Sequence, residues 1–527
     1  MGARPVNTRT LAAVAISLLF LMAWFKWMSP TPVRSDASTM APSVVSPATP
    51  APAATAEPAR RGERQTAGPA EKLMEGSRGA WTIAFSPTHG GIIRWILHEK
   101  MGDVDLVNAQ ELALTALDVA ADGKRLEAAG RLRAGPPDSG EVAWDGTAGP
   151  LRIRWTLSLP ASGYMATLNL DVANAGRKPV QLDHLRLGWG PGLGTVASEQ
   201  KENEDNLRAL LQVEDAKFTA APKPGAYPMP VRWVGVDNRY FLVALIPGEG
   251  WNSAIIAGSK KKESAVRLSL EGVIPPGASR RATARVFVGP KGYDSLRGLG
   301  LGLERAVDFG WFGDIGKGML WTLSRLYGFT HNYGLSIIIL TVGIQVIVFP
   351  LSIKTFSSMA SMKKLQPLMT QIREKFKDDP KRMNAELMEL YKRHKVNPFG
   401  GCLPMILQIP IFWAFFTTLR NAVELRAAPF FGWITDLSAP DTLVTVSGVG
   451  VHILPLLMGV AMFGQQKLTT ADPAQAKLMM FMPVMFTFIF WSFPSGLVLY
   501  WLVNSLVTIS EQLWMTRRAE HAGTTGN

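Results

Sequence analysis

Long apolar segments in the last third of the chain constrain its fold more than any other feature. They carry almost no charge and cover residues 335–351, 402–423, 451–466 and 478–509. Because about 17–25 apolar helical residues cross the ~30 Å hydrocarbon core of a bilayer, these segments are candidate membrane spans. The last one is too long for a single straight span, and Pro494, Ser495 and Gly496 at its middle predict a structural turn. It therefore predicts a helical hairpin of Leu478–Phe493 and Leu497–Trp514.

The N-terminus adds one further apolar segment, Leu11–Phe25, which is flanked by Arg4, Arg9 and Lys26. A cleaved signal peptide has a similar pattern, but the small-residue cleavage site expected after the apolar region is missing. We favour an uncleaved anchor. The chain is then predicted to be a polytopic α-helical membrane protein with six transmembrane helices.

The charges between the apolar segments predict the orientation of these helices. Segment 352–401 carries eleven Lys and Arg against five Asp and Glu, whereas segment 424–450 has Arg426 against three acidic residues. Short loops rich in Lys and Arg stay in the cytoplasm, so six spans place the N- and C-termini there. The net charge of +13 is then explained by topology and by attraction to membrane lipid, and we expect no specific nucleic-acid partner.

Two regions of different composition follow the anchor. Segment 29–76 is rich in Ala, Pro, Ser and Thr, which predicts a flexible linker. Segment 77–302 contains short runs such as Arg152–Leu159, in which every second residue is apolar. This period of two, broken by turn signals, predicts a large antiparallel β-sandwich outside the membrane. The glycine series from Gly188 to Gly194 is interrupted by Pro191 and favours a sheet connection over a phosphate site.

Segment 303–332 leads into the second span and mixes aromatic residues with Lys317 and Arg325. It predicts an amphipathic helix along the outer membrane interface. Packing of this segment against the sandwich is the alternative.

The basic segment 352–401 predicts a cytoplasmic helical hairpin. Apolar residues recur at three- and four-residue spacing, Pro367 should bend the first helix, and Asp379 with Pro380 is typical of the start of the second. The two helices packing together would satisfy these apolar stripes, while a methionine-rich face also suits transient contact with a nascent chain. The candidate residues for contact with a substrate or a ribosome are Met359, Met362, Lys363, Lys364, Met369, Lys381 and Arg382.

Polar side chains inside the predicted spans form the candidate functional site, because such groups are costly in lipid. They are uncharged and lie on the second, third and sixth spans: Thr341, Gln345, Gln408, Asn504, Ser505 and Thr508. Each residue alone is explained by interhelical hydrogen bonding. Together they predict a hydrophilic cavity within the membrane.

The last two predicted spans are short, and the 16 residues of the first reach only ~24 Å as a helix. A short helix thins the bilayer locally, which lowers the barrier for moving a short hydrophilic segment across. Such a mechanism needs no cofactor. One cysteine, with seven histidines at unsuitable spacing, argues against a metal enzyme, so we predict no catalytic residue and no metal site.

Several motifs resemble the YidC family of membrane protein insertases. Residues 396–404 (VNPFGGCLP) and 408–412 (QIPIF) are similar to the third-span signature of that family. Residues 493–500 (FPSGLVLY) are similar to the turn between its last two spans, and 288–291 (VGPK) to the end of the external domain in its Gram-negative branch. The resemblance is dense from residue 311 to 517 and thinner, though colinear, before it.

The resemblance implies insertion and folding of nascent membrane proteins in a bacterial inner membrane, alone or with the Sec translocon. It also implies a periplasmic β-super-sandwich that is largely dispensable for insertion. The ribosome and the signal-recognition-particle receptor are further expected partners. The tail after Arg517 is shorter than the basic ribosome-binding tails of some members, so ribosome contact would fall to segment 352–401.

One position departs from the family. Its members carry an arginine on the second span, in a groove open to cytoplasm and lipid, where this chain has Gln345. Hydration of the groove would survive this change, but attraction of acidic nascent segments by a fixed positive charge would not.

Other function classes compete with an insertase. A secondary transporter needs inverted repeats and charged coupling sites, and neither is visible. A membrane-anchored carbohydrate enzyme needs paired carboxylates in the sandwich. A passive scaffold for membrane-protein assembly, without insertase activity, shares the polar face and the apolar surfaces and is the main alternative.

The predicted organisation alternates spans with extramembrane segments. The spans are 10–28, 333–351, 402–423, 451–467, 478–493 and 494–514. The cytoplasmic segments are 1–9, 352–401, 468–477 and 515–527, and the outer ones are 29–76, 77–302, 303–332 and 424–450.

Overall fold

The computed structural model describes residues 74–86, 91–99, 102–108, 114–135, 139–214, 218–258, 261–394, 403–446, 449–469 and 480–524. The predicted anchor 10–28 lies outside these residues, as do nearly all of the predicted linker 29–76 and most of the loop 468–477.

Antiparallel strands build the region from 74 to 290. They are β1 (Met74–Arg78), β2 (Trp81–Phe85), β3 (Ile92–Glu99), β4 (Gly102–Asp105), β5 (Leu114–Ala121), β6 (Lys124–Leu126), β7 (Ala129–Ala134), β8 (Glu141–Ala148), β9 (Leu151–Ser158), β10 (Met165–Asn174), β11 (Val180–Trp189), β12 (Arg208–Val213), β13 (Thr219–Ala220), β14 (Gly225–Pro228), β15 (Val231–Asp237), β16 (Phe241–Pro247), β17 (Ser253–Ala257), β18 (Ala265–Ile274) and β19 (Ser279–Pro290). The sheet orders are β1-β2-β3-β4, β13-β12-β15-β16-β19-β10-β9-β8-β7 and β14-β17-β18-β11-β5-β6. This β-rich, sandwich-like region confirms the predicted fold class of the external domain.

Alternating apolar residues of these strands share one core. In β9, Ile153, Trp155 and Leu157 are fully buried while Arg152 and Arg154 are exposed. Trp155 stacks on Phe85 of the four-stranded sheet, with ring centroids 6.2 Å apart. The period of two in the sequence therefore reports one buried face and one solvated face.

Strand β16 breaks this alternation because both of its faces are buried. Its sequence FLVALIP is continuously apolar. Phe241 and Val243 face the sandwich core, whereas Leu242 and Ala244 belong to a second core that also contains helical residues such as Leu320. The β-domain and the helices are thus joined by apolar packing.

Helices follow the β-domain, apart from one short helix inserted between β11 and β12. They are α1 (Gln200–Asn206), α2 (Tyr293–Gly298), α3 (Gly313–Thr330), α4 (Tyr333–Lys375), α5 (Pro380–Arg393), α6 (Leu403–Asn421), α7 (Ile453–Thr469), α8 (Met482–Ile489) and α9 (Ser495–Thr524). Short 3-10 turns lie at Ala197–Glu199, Lys261–Glu263, Leu303–Ala306, Val423–Leu425 and Phe490–Ser492.

Several predicted boundaries differ from these helices. The second span and the first helix of the cytoplasmic hairpin form one helix of 43 residues, α4, which continues through Pro350 and Pro367. Each proline removes only one backbone donor, and the helix keeps its bonds on either side. The last helix continues past Trp514 to Thr524. In segment 303–332, the helix begins only at Gly313.

The loop 424–450 contains a β-hairpin that was not predicted. Its strands are β20 (Thr442–Val446) and β21 (Val449–His452), and it leads directly into α7. The sequence did contain a signal, because Val444 and Val446 alternate with Thr445, and Val449 and Val451 alternate with Gly450.

The glycine series after β11 is a sheet connection, as predicted. Gly188 lies in the strand, where a Cβ would collide with the backbone carbonyl of Val266. Gly190 has a φ of 113°, which favours glycine.

Within the described residues, one helical segment, Tyr333–Ser357, is long and apolar enough to cross a membrane. The number of six spans therefore stays a prediction.

Candidate functional site

Three amide side chains from three helices meet inside the helical bundle. Gln345 on α4 donates a hydrogen bond to Oδ1 of Asn504 on α9. Gln408 on α6 donates to the same oxygen, with Nε2 3.3 Å away. We call Gln345, Gln408, Asn504 and the tyrosine described next the amide cluster.

The amide cluster includes Tyr500, which the sequence analysis did not select. Its hydroxyl accepts a hydrogen bond from Nε2 of Gln408 at 2.8 Å. The ring is buried and stacks on Phe415 of α6, with centroids 4.2 Å apart. The sequence did contain a signal, because Tyr500 lies four residues before Asn504 and so shares its helix face.

The N-termini of α4 and α9 are fixed by hydrogen bonds, and this determines where along the two helices the cluster lies. Asn332 caps α4 by accepting the backbone N–H of Leu335 at 3.1 Å. The predicted turn residues Pro494, Ser495 and Gly496 lie at the start of α9, and the Ser495 hydroxyl donates to the carbonyl of Asp436. Because both helices begin at fixed points and pack side by side, Gln345 and Asn504 lie level with each other.

The other predicted polar residues do not join the cluster by hydrogen bonds. The hydroxyl of Thr341 donates to the carbonyl of Ile337 at 2.6 Å, and that of Thr508 to the carbonyl of Asn504 at 2.8 Å. Ser505 is buried, and its Oγ has no partner among the described residues. Thr341 and Thr508 therefore satisfy their polarity within their own helices.

The chemistry of the amide cluster is that of neutral donors and acceptors. Gln345 is only 5% exposed, and no charged side chain bonds to the cluster among the contacts described above. Among the described residues, no group of His, Cys, Asp and Glu could hold a metal ion. The cluster can exchange its hydrogen bonds with another polar group, but it offers no fixed charge.

The helical hairpin in segment 352–401 has the predicted second-helix start. Asp379 accepts the backbone N–H of Arg382 at 3.1 Å, with Pro380 in the first turn. Met369 is buried, and its sulfur lies 3.7 Å from the hydroxyl of Tyr391 on the facing helix.

The hairpin's other candidate residues face several environments. Lys364, Lys381 and Arg382 are exposed, Met362 is half-buried, and only the backbones of Met359 and Lys363 are described. Among the hairpin's described side chains, Ile353, Leu368 and Met388 are exposed apolar residues that the predicted set does not contain. The contact role of the predicted set stays a prediction.

A buried ion cluster forms around Lys291, the last residue of the motif 288–291. Lys291 donates to Oδ2 of Asp237 at 2.8 Å, and Arg208 donates to Oδ1 at 3.0 Å. Asp237 is fully buried, and burial lowers the pKa of Lys291 although Asp237 opposes this shift. Lys291 of this motif, which marks the family resemblance, thus has a structural role as the partner of the buried Asp237.

Two arginines connect the β-domain to the end of α6. Arg239 donates to the carbonyl of Arg420 at 2.7 Å. Arg426 donates to Oε1 of Glu199 at 2.7 Å and lies over the ring of Phe241. Glu424, two residues before Arg426, is half-buried. Its partial removal from water raises the pKa of its carboxyl. We call this contact between the β-domain and residues 420–426 the joint. It is held by ionic and hydrogen-bonding contacts as well as by apolar packing.

Comparisons with known proteins agree with this architecture. The chain matches the family models of the 60Kd inner membrane protein over residues 325–522 and of the YidC periplasmic domain over residues 137–322. A membrane protein insertase YidC of Endomicrobium trichonymphae is 45% identical over 362 residues, which are 67% of this chain and 69% of that protein.

Two further relatives extend the comparison. A membrane protein insertase YidC of Nitratidesulfovibrio vulgaris strain Hildenborough is 36% identical over 555 residues, covering 97% of this chain and 100% of that protein. A crystal structure of an active YidC insertase is 21% identical at a TM-score of 0.40, covering 84% of this chain and 92% of that one. The two family models and the identity with full-length relatives lead to one conclusion: this chain belongs to the YidC family of membrane protein insertases.

Proposed function

We propose that this chain inserts and folds nascent membrane proteins, and that the amide cluster is the polar wall along which a substrate's hydrophilic segment moves. The observation that carries the proposal is the bond from Gln345 and Gln408 to one oxygen of Asn504. These bonds join three helices, and their breakage frees donors and acceptors inside the bundle. A passing polar backbone would replace them at little net cost, because one hydrogen bond is exchanged for another.

A short apolar segment that packs against Trp501 of α9 supports the same mechanism. The apolar helical segment Met482–Ser492 spans only ~18 Å, counting ~1.5 Å per α-helical and ~2 Å per 3-10 residue. Phe481, Val484 and Phe488 on or next to it are exposed, as expected of residues facing lipid. A segment shorter than the ~30 Å hydrocarbon core thins the bilayer around it.

The topology and partners of this proposal come from sequence and family. The chain crosses a bacterial inner membrane six times, with both termini and the hairpin 352–401 in the cytoplasm. The exposed Leu368 and Met388, together with Lys364, Lys381 and Arg382, make the hairpin a contact surface for nascent chains or the ribosome. The Sec translocon and the signal-recognition-particle receptor are proposed partners on the same grounds.

The test compares the half-buried amide Gln408 with its exposed neighbour Ile409. Gln408→Leu removes both hydrogen bonds of Gln408, whereas Ile409→Leu changes a side chain that is 53% exposed. Each variant replaces the host insertase in depleted cells, and insertion of a single-span substrate is followed by protease accessibility. We expect Gln408→Leu to lose most of the insertion at normal expression and Ile409→Leu to retain it. Full insertion with Gln408→Leu would favour the passive scaffold.

A further inference from the structure

Strand β20 of the hairpin formed by β20 and β21 leaves both of its faces uncovered. All five residues of β20 are exposed, and among them Leu443, Val444 and Val446 are exposed by 51%, 50% and 58%. Successive residues of a strand point to opposite faces, so Val444 and Val446 lie on one face of β20 and Thr445 on the other, and neither face of this strand is packed against the rest of the described chain. No residue from 442 to 451 carries a charge.

Such a hairpin is poorly suited to water. A two-stranded hairpin on its own is at best marginally stable there. Uncovered apolar strands also invite pairing with other chains, and proteins usually block them with charged residues or proline. Segment 442–451 contains neither. We therefore expect the hairpin to lie in an apolar environment.

The base of the hairpin is fixed at the outer end of a bundle helix. β21 ends at His452 and α7 begins at Ile453 without an intervening loop. Asp441, which is buried, accepts the backbone N–H groups of Ile453 at 2.9 Å and Leu454 at 2.7 Å. The ring of His452 packs edge-on against Trp491, with centroids 5.2 Å apart. The apolar strand thus continues directly from an apolar helix.

We propose that the hairpin strands, over residues 442–446 and 449–451, insert into the interfacial region of the outer leaflet and form a lipid-contact surface. Lipid is favoured over a protein partner because a partner covers one face of a ribbon, whereas lipid surrounds both. The insertion is shallow, since the unpaired edges of β20 and β21 need hydrogen bonds that hydrocarbon does not supply. The proposal rests on the proposed orientation of segment 424–450, but not on insertase activity.

The experiment measures the surroundings of single spin labels on the purified full-length chain in lipid nanodiscs. The only cysteine is first replaced by Cys402→Ser, and labels are placed by Val444→Cys and Thr445→Cys, on opposite faces of β20. Val460→Cys, 72% exposed on α7, is the lipid control, and Lys124→Cys on the exposed strand β6 is the water control. Collision with oxygen reports lipid, and collision with a water-soluble nickel chelate reports water.

We expect the ratio of oxygen to nickel collisions to be severalfold higher at both hairpin positions than at Lys124→Cys, and no higher than at Val460→Cys. A ratio like that of Lys124→Cys at both positions would overturn the proposal, because the hairpin would lie in water. A high ratio at one position only would also overturn it, because one face would then rest on protein. Since nanodiscs hold only the purified chain, an unidentified partner cannot produce the expected result.

Discussion

The β-domain and the helical bundle bury polar groups in opposite ways. The β-domain buries full charges and pairs them, as in the contacts of Asp237 with Lys291 and Arg208. The bundle bonds neutral amides to each other, and of these Gln345 is buried while Gln408 and Asn504 are half-buried. Under the proposed function, this difference separates internal charges that are fixed for structure from a site that exchanges hydrogen-bond partners and uses neutral groups.

The strongest test of this comparison breaks the ion cluster. Asp237→Ala leaves Lys291 and Arg208 without their shared carboxylate, so we expect a loss of about 3–5 kcal/mol in the free energy of unfolding of the β-domain. Hydrogen exchange of β15 and β19 in the full-length chain measures it. Asp171→Ala, which removes an exposed partner of Arg281, should leave these exchange rates nearly unchanged. Equal effects of the two variants would contradict the assigned role of burial.

The joint between the two regions should show an intermediate effect. Arg426→Ala removes a charged hydrogen bond to Glu199 and the contact with Phe241, at a cost of about 2 kcal/mol. We expect faster hydrogen exchange in residues 421–428. Arg426→Lys keeps the charge but loses the planar contact, and should recover only part of the protection. Unchanged exchange in both variants would show that apolar packing alone holds the joint.

Glu424 gives the joint a pH dependence. Because burial raises the pKa of this carboxyl above 4.5, the folded chain binds more protons than the unfolded chain between 4.5 and the raised value. Its contribution to stability is therefore fully present below pH 4.5 and is lost as the pH rises through the folded pKa. Melting temperature against pH should flatten in Glu424→Gln. A profile unchanged by this substitution would remove Glu424 as the cause.

The smallest stability effect is expected inside the bundle. Gln345→Leu removes one hydrogen bond between helices, which is worth ~0.6 kcal/mol in a membrane. Val346→Leu, at a neighbouring position that is 67% exposed, is the matched control. Unfolding of both variants in bicelles should differ by little. If Gln345→Leu lowered the free energy of unfolding as much as Asp237→Ala, the amide cluster would be mainly a structural element.

Sequence patterns predicted the sheets and the polar residues better than they predicted boundaries. The alternation in β9 was sufficient because one face of that strand is solvated. The burial of Leu242 on the second face of β16 depends on helices that lie much later in the sequence. The residues around Leu242 alone therefore cannot predict it. Gln345, Gln408 and Asn504 were found because an amide in an apolar segment is conspicuous. Tyr500 was missed because a tyrosine there is equally compatible with apolar packing.

The most direct test of the central claim, that an uncharged amide cluster supports insertion, adds the charge that the family resemblance places at residue 345. The native chain and its Gln345→Arg variant each replace the insertase in depleted cells, at matched expression. Insertion of a single-span substrate with an acidic outer segment is followed by protease accessibility. The account predicts that the native chain restores insertion. Restoration by Gln345→Arg alone, or by neither, would contradict it.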